Sequence, residues 1–178
     1  MEEMEAESAA ASMVTVDRAM SDLRRGDFVM LESGAGVALA QAAETVTAAS
    51  LATFTRLASG RASLALTARR ASVLAFPRPA AAGRHGSGVI TLPLAGIGDP
   101  ETIRWLIDPT ALRQGPLPQS VAPRQESGES FAAAAVTLSK LAQLLPAALT
   151  ATLPPGAMAP GWSPCRSPGS AIPRPSAG

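Results

Sequence analysis

The 178-residue sequence contains only one cysteine, Cys165, and only one histidine, His85. A single cysteine excludes an intramolecular disulfide, and it also excludes a zinc site built from several thiolates. The segment around Cys165 is rich in proline, glycine and serine, and it offers no structured electropositive setting that would activate a thiol. We therefore interpret Cys165 as incidental to function.

Aromatic residues and long apolar runs are also scarce. The chain has four Phe, two Trp and no Tyr, so its core must be built mainly from Ala, Leu and Val. No apolar run approaches the ~18 residues that a membrane-spanning helix requires. Residues 1–7 are acidic, unlike a secretory signal, which has a basic start and an apolar core. We expect no membrane association and a cytoplasmic location.

The charge of the chain is nearly balanced. The formal net charge is +1, which provides no electrostatic footprint for nucleic acid. A length of 178 residues favours one domain. Periodic apolar patterns predict an α/β domain over residues 14–152, which could be incomplete. Residues 1–13 and the proline-, glycine- and serine-rich residues 153–178 are expected to be disordered tails.

The first half of the domain alternates between helical and strand-like patterns. Short apolar runs between polar residues predict strands, and apolar residues spaced three and four apart predict helices. The predicted order is a helix over 16–25, strands over 28–31 and 37–43, a helix over 48–59, a strand over 63–67 and a short helix over 68–74. The polar residues 32–36 between the first two strands predict a hairpin-type turn.

The second half is interrupted by proline. Residues 89–94 resemble a strand, and Pro93 predicts an edge position in the sheet. Asp99 and Pro100 are typical of a helix start, and Pro109 ends that helix, after which residues 109–125 predict a linker. An apolar stripe at helical spacing covers residues 131–145, from Phe131 to Leu145. These elements predict a mixed sheet flanked by helices in two or three layers.

The loop over residues 77–88 allows three interpretations. Backbone N–H groups and Arg84 could bind an anion. Ser87 could act as a nucleophile activated by His85. Because no strand-to-helix elbow surrounds Ser87, we favour the third interpretation, a plain connecting loop.

Several runs of residues carry a resemblance to a known family. They include Val16-Asp17-Arg18-Ala19-Met20, the run Phe28-Val29-Met30-Leu31, and a later helix, Gly60-Arg61 corner and apolar strand. In this order they resemble the opening of 3,4-dihydroxy-2-butanone 4-phosphate synthase, an enzyme of riboflavin synthesis. Asp108-Pro109-Thr110 and residues 138–149 are similar to the degenerate N-terminal part of GTP cyclohydrolase II. The resemblance covers residues 14–152.

The resemblance implies magnesium-dependent or zinc-dependent chemistry. This sequence lacks the residues that such chemistry requires. In the synthase, an acidic loop after the first strand helps to bind magnesium and the sugar phosphate, whereas here Glu32 is the only acidic residue of that loop. The family's later histidine ligand has no counterpart, because His85 lies in an unrelated loop. The cyclohydrolase part requires three cysteines for its zinc ion. We therefore predict no catalytic, cofactor-binding or metal-binding residues and no cofactor bound by this chain.

The resemblance implies a riboflavin-biosynthesis protein that resembles the N-terminal part of GTP cyclohydrolase II and has no catalytic activity by itself. The expected partner is a catalytic cyclohydrolase domain or a second copy of the chain. A truncated or frame-shifted gene product would explain the abrupt loss of pattern after Leu153. Two alternatives stay open: a non-enzymatic module that binds a partner through the helix over 131–145, and an active synthase that uses magnesium and ribulose 5-phosphate.

Overall fold

The computed structural model describes residues 2–59, 61–76, 88–111 and 121–154, and for residues 2–12 it describes only the backbone. The six strands of the described chain form one sheet in the order β1-β2-β6-β3-β4-β5. Their bounds are β1 Val29–Ser33, β2 Gly36–Ala42, β3 Ser63–Thr67, β4 Val89–Pro93, β5 Arg124–Gln125 and β6 Ala147–Leu153. The helices are α1 Glu2–Arg25, α2 Ala48–Leu57, α3 Ala68–Val73, α4 Pro100–Ile107 and α5 Phe131–Leu141.

Both faces of this sheet are covered by helices. Successive strand residues alternate between two apolar layers: Leu39 and Leu149 pack with helices α2, α3 and α4, while Ala40 and Ala148 pack with α1 and α5. This alternation follows from the two-residue period of side chains along a strand. The result is a three-layer arrangement, which confirms the predicted α/β class with a sheet flanked by helices.

The sheet differs from the prediction in strand direction. Every described strand pair is antiparallel, so the predicted mixture of parallel and antiparallel pairs is wrong. Strands buried on both faces read as continuous apolar runs, as parallel strands do. Pattern alone therefore does not distinguish the two directions in this chain.

Local sequence signals for helix caps and strand bounds agree with the structure at several elements. Strand β3 has the predicted bounds. Thr47 caps α2 and forms a reciprocal capping box with Ser50. Asp99 caps α4, and Ile103, Leu106 and Ile107 form its buried face.

Helix α1 is longer than predicted. The sequence predicts a helix from about Val16, whereas α1 begins at Glu2 and includes most of the segment predicted as a tail. Alanine and glutamate, which are frequent in this segment, favour helix. At the other end Gly26 has a φ of 85°, the left-handed conformation that ends a helix. The domain boundary near residue 14 stays a prediction.

Helix α5 and strand β4 also differ from the prediction, the first in where it ends and the second in its place in the sheet. Helix α5 ends at Leu141, and not near Leu145, because Gln143 adopts a positive φ of 60°. Strand β4 is not an edge, since it pairs with both β3 and β5. Pro93 is tolerated because it is the last residue of β4.

Strand β6 is absent from the sequence prediction, although it lies at the centre of the sheet. It pairs with β2 on one side and β3 on the other. Its sequence, AALTATL, follows the breaker Pro146 directly. A short apolar run after a proline is a strand signal, but it follows the apolar stripe over 131–145 directly. The pattern therefore resembles a continuation of that helical region.

The described helices include none with the length and apolar character that a bilayer span requires.

Candidate functional site

The first candidate position is the connection between β1 and β2, where the resemblance implies an acidic metal-binding loop. Ser33 pairs with Gly36, so only Gly34 and Ala35 form the turn. The Ala35 amide donates a hydrogen bond to Ser33 Oγ at 3.2 Å. Glu32 is exposed and pairs with Val37 across the hairpin. The predicted hairpin turn is confirmed, and it presents one surface carboxylate.

The other polar contacts of the carboxylates are mostly with main-chain amides and hydroxyl groups. Asp99 Oδ1 and Oδ2 each accept from Thr102, at 2.8 Å. Glu44 accepts from the Leu145 amide at 2.8 Å, and Glu126 accepts from Thr91 Oγ1 at 2.7 Å. Within the described ranges, no three of the His, Cys, Asp and Glu side chains are grouped so that they could hold a metal ion. A hard cation prefers six or more oxygen ligands, and these carboxylates are dispersed.

The pKa values of two carboxyl groups are lowered, whereas a carboxyl group that donates a proton at neutral pH needs a raised pKa. The hydrogen bond from the Thr102 amide, together with that from its hydroxyl, lowers the pKa of Asp99. The Thr110 hydroxyl and amide lower the pKa of Asp108. A general acid or base works best with a pKa near the working pH. Both groups are therefore suited to anchoring main-chain amides.

Replacing Asp99 with alanine is expected to lower the free energy of unfolding by about 1 kcal/mol at pH 7, because α4 loses its N-cap. The lowered pKa means that the ionised carboxylate stabilises the fold above the unfolded pKa of aspartate, about 3.9. This stabilisation is lost as the pH falls through the folded pKa. Urea denaturation at pH 7 and pH 3 should show the difference between wild type and D99A shrinking at low pH. A difference that grows at low pH would contradict this role.

Several arginines bind carbonyl groups of the fold. Arg70 Nε donates to Leu106 O at 2.7 Å, and its terminal nitrogen donates to Trp105 O at 3.0 Å and Asp108 O at 2.7 Å. Arg70 thus satisfies the C-terminal carbonyls of α4, which a helix leaves without intrahelical partners. Arg70 is half-buried by these contacts, whereas the neighbouring Arg69 is exposed.

Arg24 has a similar role at the end of α5. Its Nε donates to Ala142 O at 2.9 Å, which links α1 to the residue that caps α5. Arg25 instead pairs with Asp22 and with Asp27, both close to it in sequence. The contacts of both side chains are therefore with the protein itself.

The apolar stripe of α5 packs on its own sheet. The buried residues of this helix are Ala132, Ala133, Ala135, Val136, Leu138 and Ser139. Phe131 and Ala134 are half-buried against the cluster formed with α1. Leu141, which the stripe includes, is instead 55% exposed. The stripe is therefore mainly a core surface.

Gln41 is a buried polar residue that sequence reasoning missed. Its side chain is fully buried in β2, where Nε2 donates to Gly26 O at 2.9 Å. The other amide atom, Oε1, has no hydrogen-bond partner among the described residues. Gln41 links the end of α1 to the second strand. Its only sequence signal is a polar residue inside the apolar run over 37–43.

The remaining candidate residues, Arg84, His85, Ser87 and Cys165, lie outside the described residues, as does the predicted tail from residue 155 onward.

Comparison with known proteins adds one curated relative, whereas no protein-family model matches the chain. The GTP cyclohydrolase-2 of Azospirillum brasilense is 34% identical over 142 residues, which cover 79% of this chain and 35% of that protein. The chain thus spans about a third of the length of the relative.

Solved structures with the same fold are 3,4-dihydroxy-2-butanone 4-phosphate synthases. One, in complex with two magnesium ions, has a TM-score of 0.57 at 21% identity and covers 86% of this chain and 82% of its own. The Candida albicans synthase has a TM-score of 0.55 at 22% identity, with 78% and 79% covered. A two-domain synthase from A. baumannii has a TM-score of 0.55 at 17% identity, with 78% and 47% covered.

Proposed function

Because the chain belongs to the GTP cyclohydrolase II and 3,4-dihydroxy-2-butanone 4-phosphate synthase family, we propose that it is a structural domain of that family. It corresponds to the N-terminal part of a GTP cyclohydrolase II and has no catalytic activity by itself. Its role is to support a catalytic cyclohydrolase domain.

The observation that carries this proposal is the two-residue turn between β1 and β2. Residues Gly34 and Ala35 are too few to form a loop that surrounds a cation with several oxygen ligands. The nearest carboxylate, Glu32, is exposed on β1. A solvated single carboxylate holds a divalent ion weakly, so magnesium chemistry at this position lacks its ligands.

The use of the other charged side chains supports the same proposal. Asp99 caps a helix, Arg70 binds helix carbonyls and Glu44 binds a loop amide. Groups that are fixed in structural contacts are not available to a substrate. In addition, the curated relative extends well beyond the matched region, which leaves room for a catalytic part elsewhere in such a protein.

The alternative of a partner-binding module at α5 receives less support. That hypothesis requires the stripe over 131–145 to face outward, and in the described chain the sheet and α1 cover most of it, with Leu141 exposed. The alternative of an active synthase retains one favourable observation, since its fold matches that of a synthase that binds two magnesium ions.

A formate assay tests the proposed inactivity. Purified protein with magnesium and ribulose 5-phosphate, or with zinc and GTP, is expected to release formate at a rate at least about 1,000-fold below that of the corresponding enzyme, because it lacks the metal ligands. Coupled formate dehydrogenase provides the readout, with heat-denatured protein as the control.

Each positive result has a specific meaning. Magnesium-dependent formate from the sugar phosphate would establish the active-synthase alternative and contradict the proposal. Zinc-dependent formate from GTP would contradict the inactivity directly. The supporting role is tested by adding the chain to the separately produced C-terminal part of the Azospirillum brasilense protein, whose melting temperature should rise; no rise would count against that role.

A further inference from the structure

Gln41 is the one position of the described chain where a buried side-chain atom lacks a hydrogen bond. Its side chain is 0% exposed, and Oε1 has no protein partner among the described residues. Nearly all buried polar atoms in folded proteins have a partner, which is either a protein group or an ordered water. The unmatched oxygen therefore identifies a place where a hydrogen-bond donor is required.

The orientation of the Gln41 amide is fixed by the contact that its nitrogen makes. Nε2 lies 2.9 Å from Gly26 O, at the end of α1. A carbonyl oxygen only accepts hydrogen bonds, so the NH2 group of the glutamine must face it. Rotating the amide by half a turn would instead bring two acceptors together. Oε1 is therefore the atom that needs a donor of its own.

The protein donors around this contact are already used. The Gly26 amide donates to Leu23 O at 3.1 Å. A Cβ atom placed at Gly26 would lie 3.5 Å from Thr45 Oγ1, so the Thr45 hydroxyl is close by, and it donates to Ala42 O at 3.1 Å. The main-chain amides of β2 lie in the plane of the sheet, where β2 pairs with β1 on one side and β6 on the other. These groups are not available to Oε1.

We propose that Gln41 Oε1 binds a buried water molecule that completes the link between the end of α1 and β2. The burial limits the size of the ligand, because solvent does not reach Oε1 from outside and a larger donor would not enter. A water provides two hydrogens, one for Oε1 and one for a second acceptor. The Gly26 carbonyl and the Thr45 hydroxyl each have a further lone pair that can accept it. The inference concerns the attachment of α1 to the sheet and is independent of the proposed function.

A high-resolution crystal structure of the full chain tests the site directly. We expect a water oxygen about 2.7–3.2 Å from Gln41 Oε1, in contact with a second polar atom of the protein. Nε2 should keep its hydrogen bond to Gly26 O. The inference is overturned by a structure in which Oε1 accepts from a protein donor, or in which no water lies within that distance.

Solution NMR tests whether this water stays bound. Magnetisation transfer from water to the side-chain amide hydrogens of Gln41 should give a cross-peak with the sign of a rigid contact, because the water is enclosed by protein. Gln143 is the internal control, since it is exposed and its side-chain amide should give no such peak. Absence of the Gln41 cross-peak in the folded wild type would contradict the proposal.

Gln41→Met shows whether the glutamine itself holds the water. Methionine has a similar length but no amide, so the cross-peak should disappear and the crystal structure of the variant should show no water at this position. Circular dichroism verifies that the variant stays folded. A water that persists at the same place in Gln41→Met would mean that another group binds it, and the assignment to Gln41 would be wrong.

Discussion

Replacing Leu138 with glutamate is expected to remove most of the stability of the protein at neutral pH. Leu138 is 8% exposed and packs between α1 and the sheet, in the cluster that contains Leu23 and Leu31. An ionised carboxylate among these apolar side chains has no compensating partner, so we expect a loss of about 4 kcal/mol. Small domains are stable by only about 5–15 kcal/mol. Urea denaturation followed by circular dichroism measures the loss.

Leu141→Glu provides the matched control on the same helix. Leu141 is 55% exposed, so the charge stays solvated and the free energy of unfolding should change by less than about 0.5 kcal/mol. The pair of variants also separates two hypotheses about α5. A stable, folded Leu138→Glu protein that had lost a binding partner would mean that the stripe is a docking surface. Loss of the fold means that the stripe is core.

Arg70→Ala is expected to destabilise the protein by about 3 kcal/mol. The guanidinium group donates three hydrogen bonds to carbonyls at the end of α4, from 2.7 to 3.0 Å. Without it, the carbonyls of Trp105 and Leu106 lose a charged donor, and α3 loses its link to α4. Removing a charged donor from a partly buried acceptor costs about 1.5–3 kcal/mol for each strong bond, and these bonds share one side chain.

Two further substitutions show whether this effect is specific to Arg70. Arg69→Ala removes a neighbouring arginine that is exposed, and it should change stability by less than about 0.5 kcal/mol. Arg70→Lys keeps the charge but not the planar fork of donors, so we expect a loss intermediate between wild type and alanine. Equal effects of the two alanine substitutions would contradict the assigned role. Chemical denaturation at pH 7 provides all three values.

The parts of the fold that the sequence predicted correctly depend on neighbours in the chain. Thr47 and Asp99 cap their helices through residues three positions later, and the turn at Gly34 and Ala35 joins adjacent strands. Such contacts join residues that are close in the chain, so the spacing of residue types in the sequence indicates them. The start of α1 and the end of α5 were predicted less well, because helix ends depend on what covers them.

The candidate site was predictable in one respect and unpredictable in others. The shortness of the segment after β1 and its single acid, Glu32, can be read directly from the sequence. The partners of Arg70 cannot, because they lie about 35 residues away on another helix. Gln41 is similar, since nothing near it in the chain indicates that Gly26 accepts its hydrogen bond.

The sequence by itself determined most of the alternation of helices and strands, the residues that cap α2 and α4, and the family resemblance. Only the tertiary structure decided that β6 lies at the centre of the sheet, that all described strand pairs are antiparallel, and that α5 covers the sheet. The reason is that a cap depends on atoms a few residues apart, whereas strand pairing joins residues such as Ala40 and Thr150 across most of the chain. Which distant strands pair depends on how all the apolar faces can be buried at once.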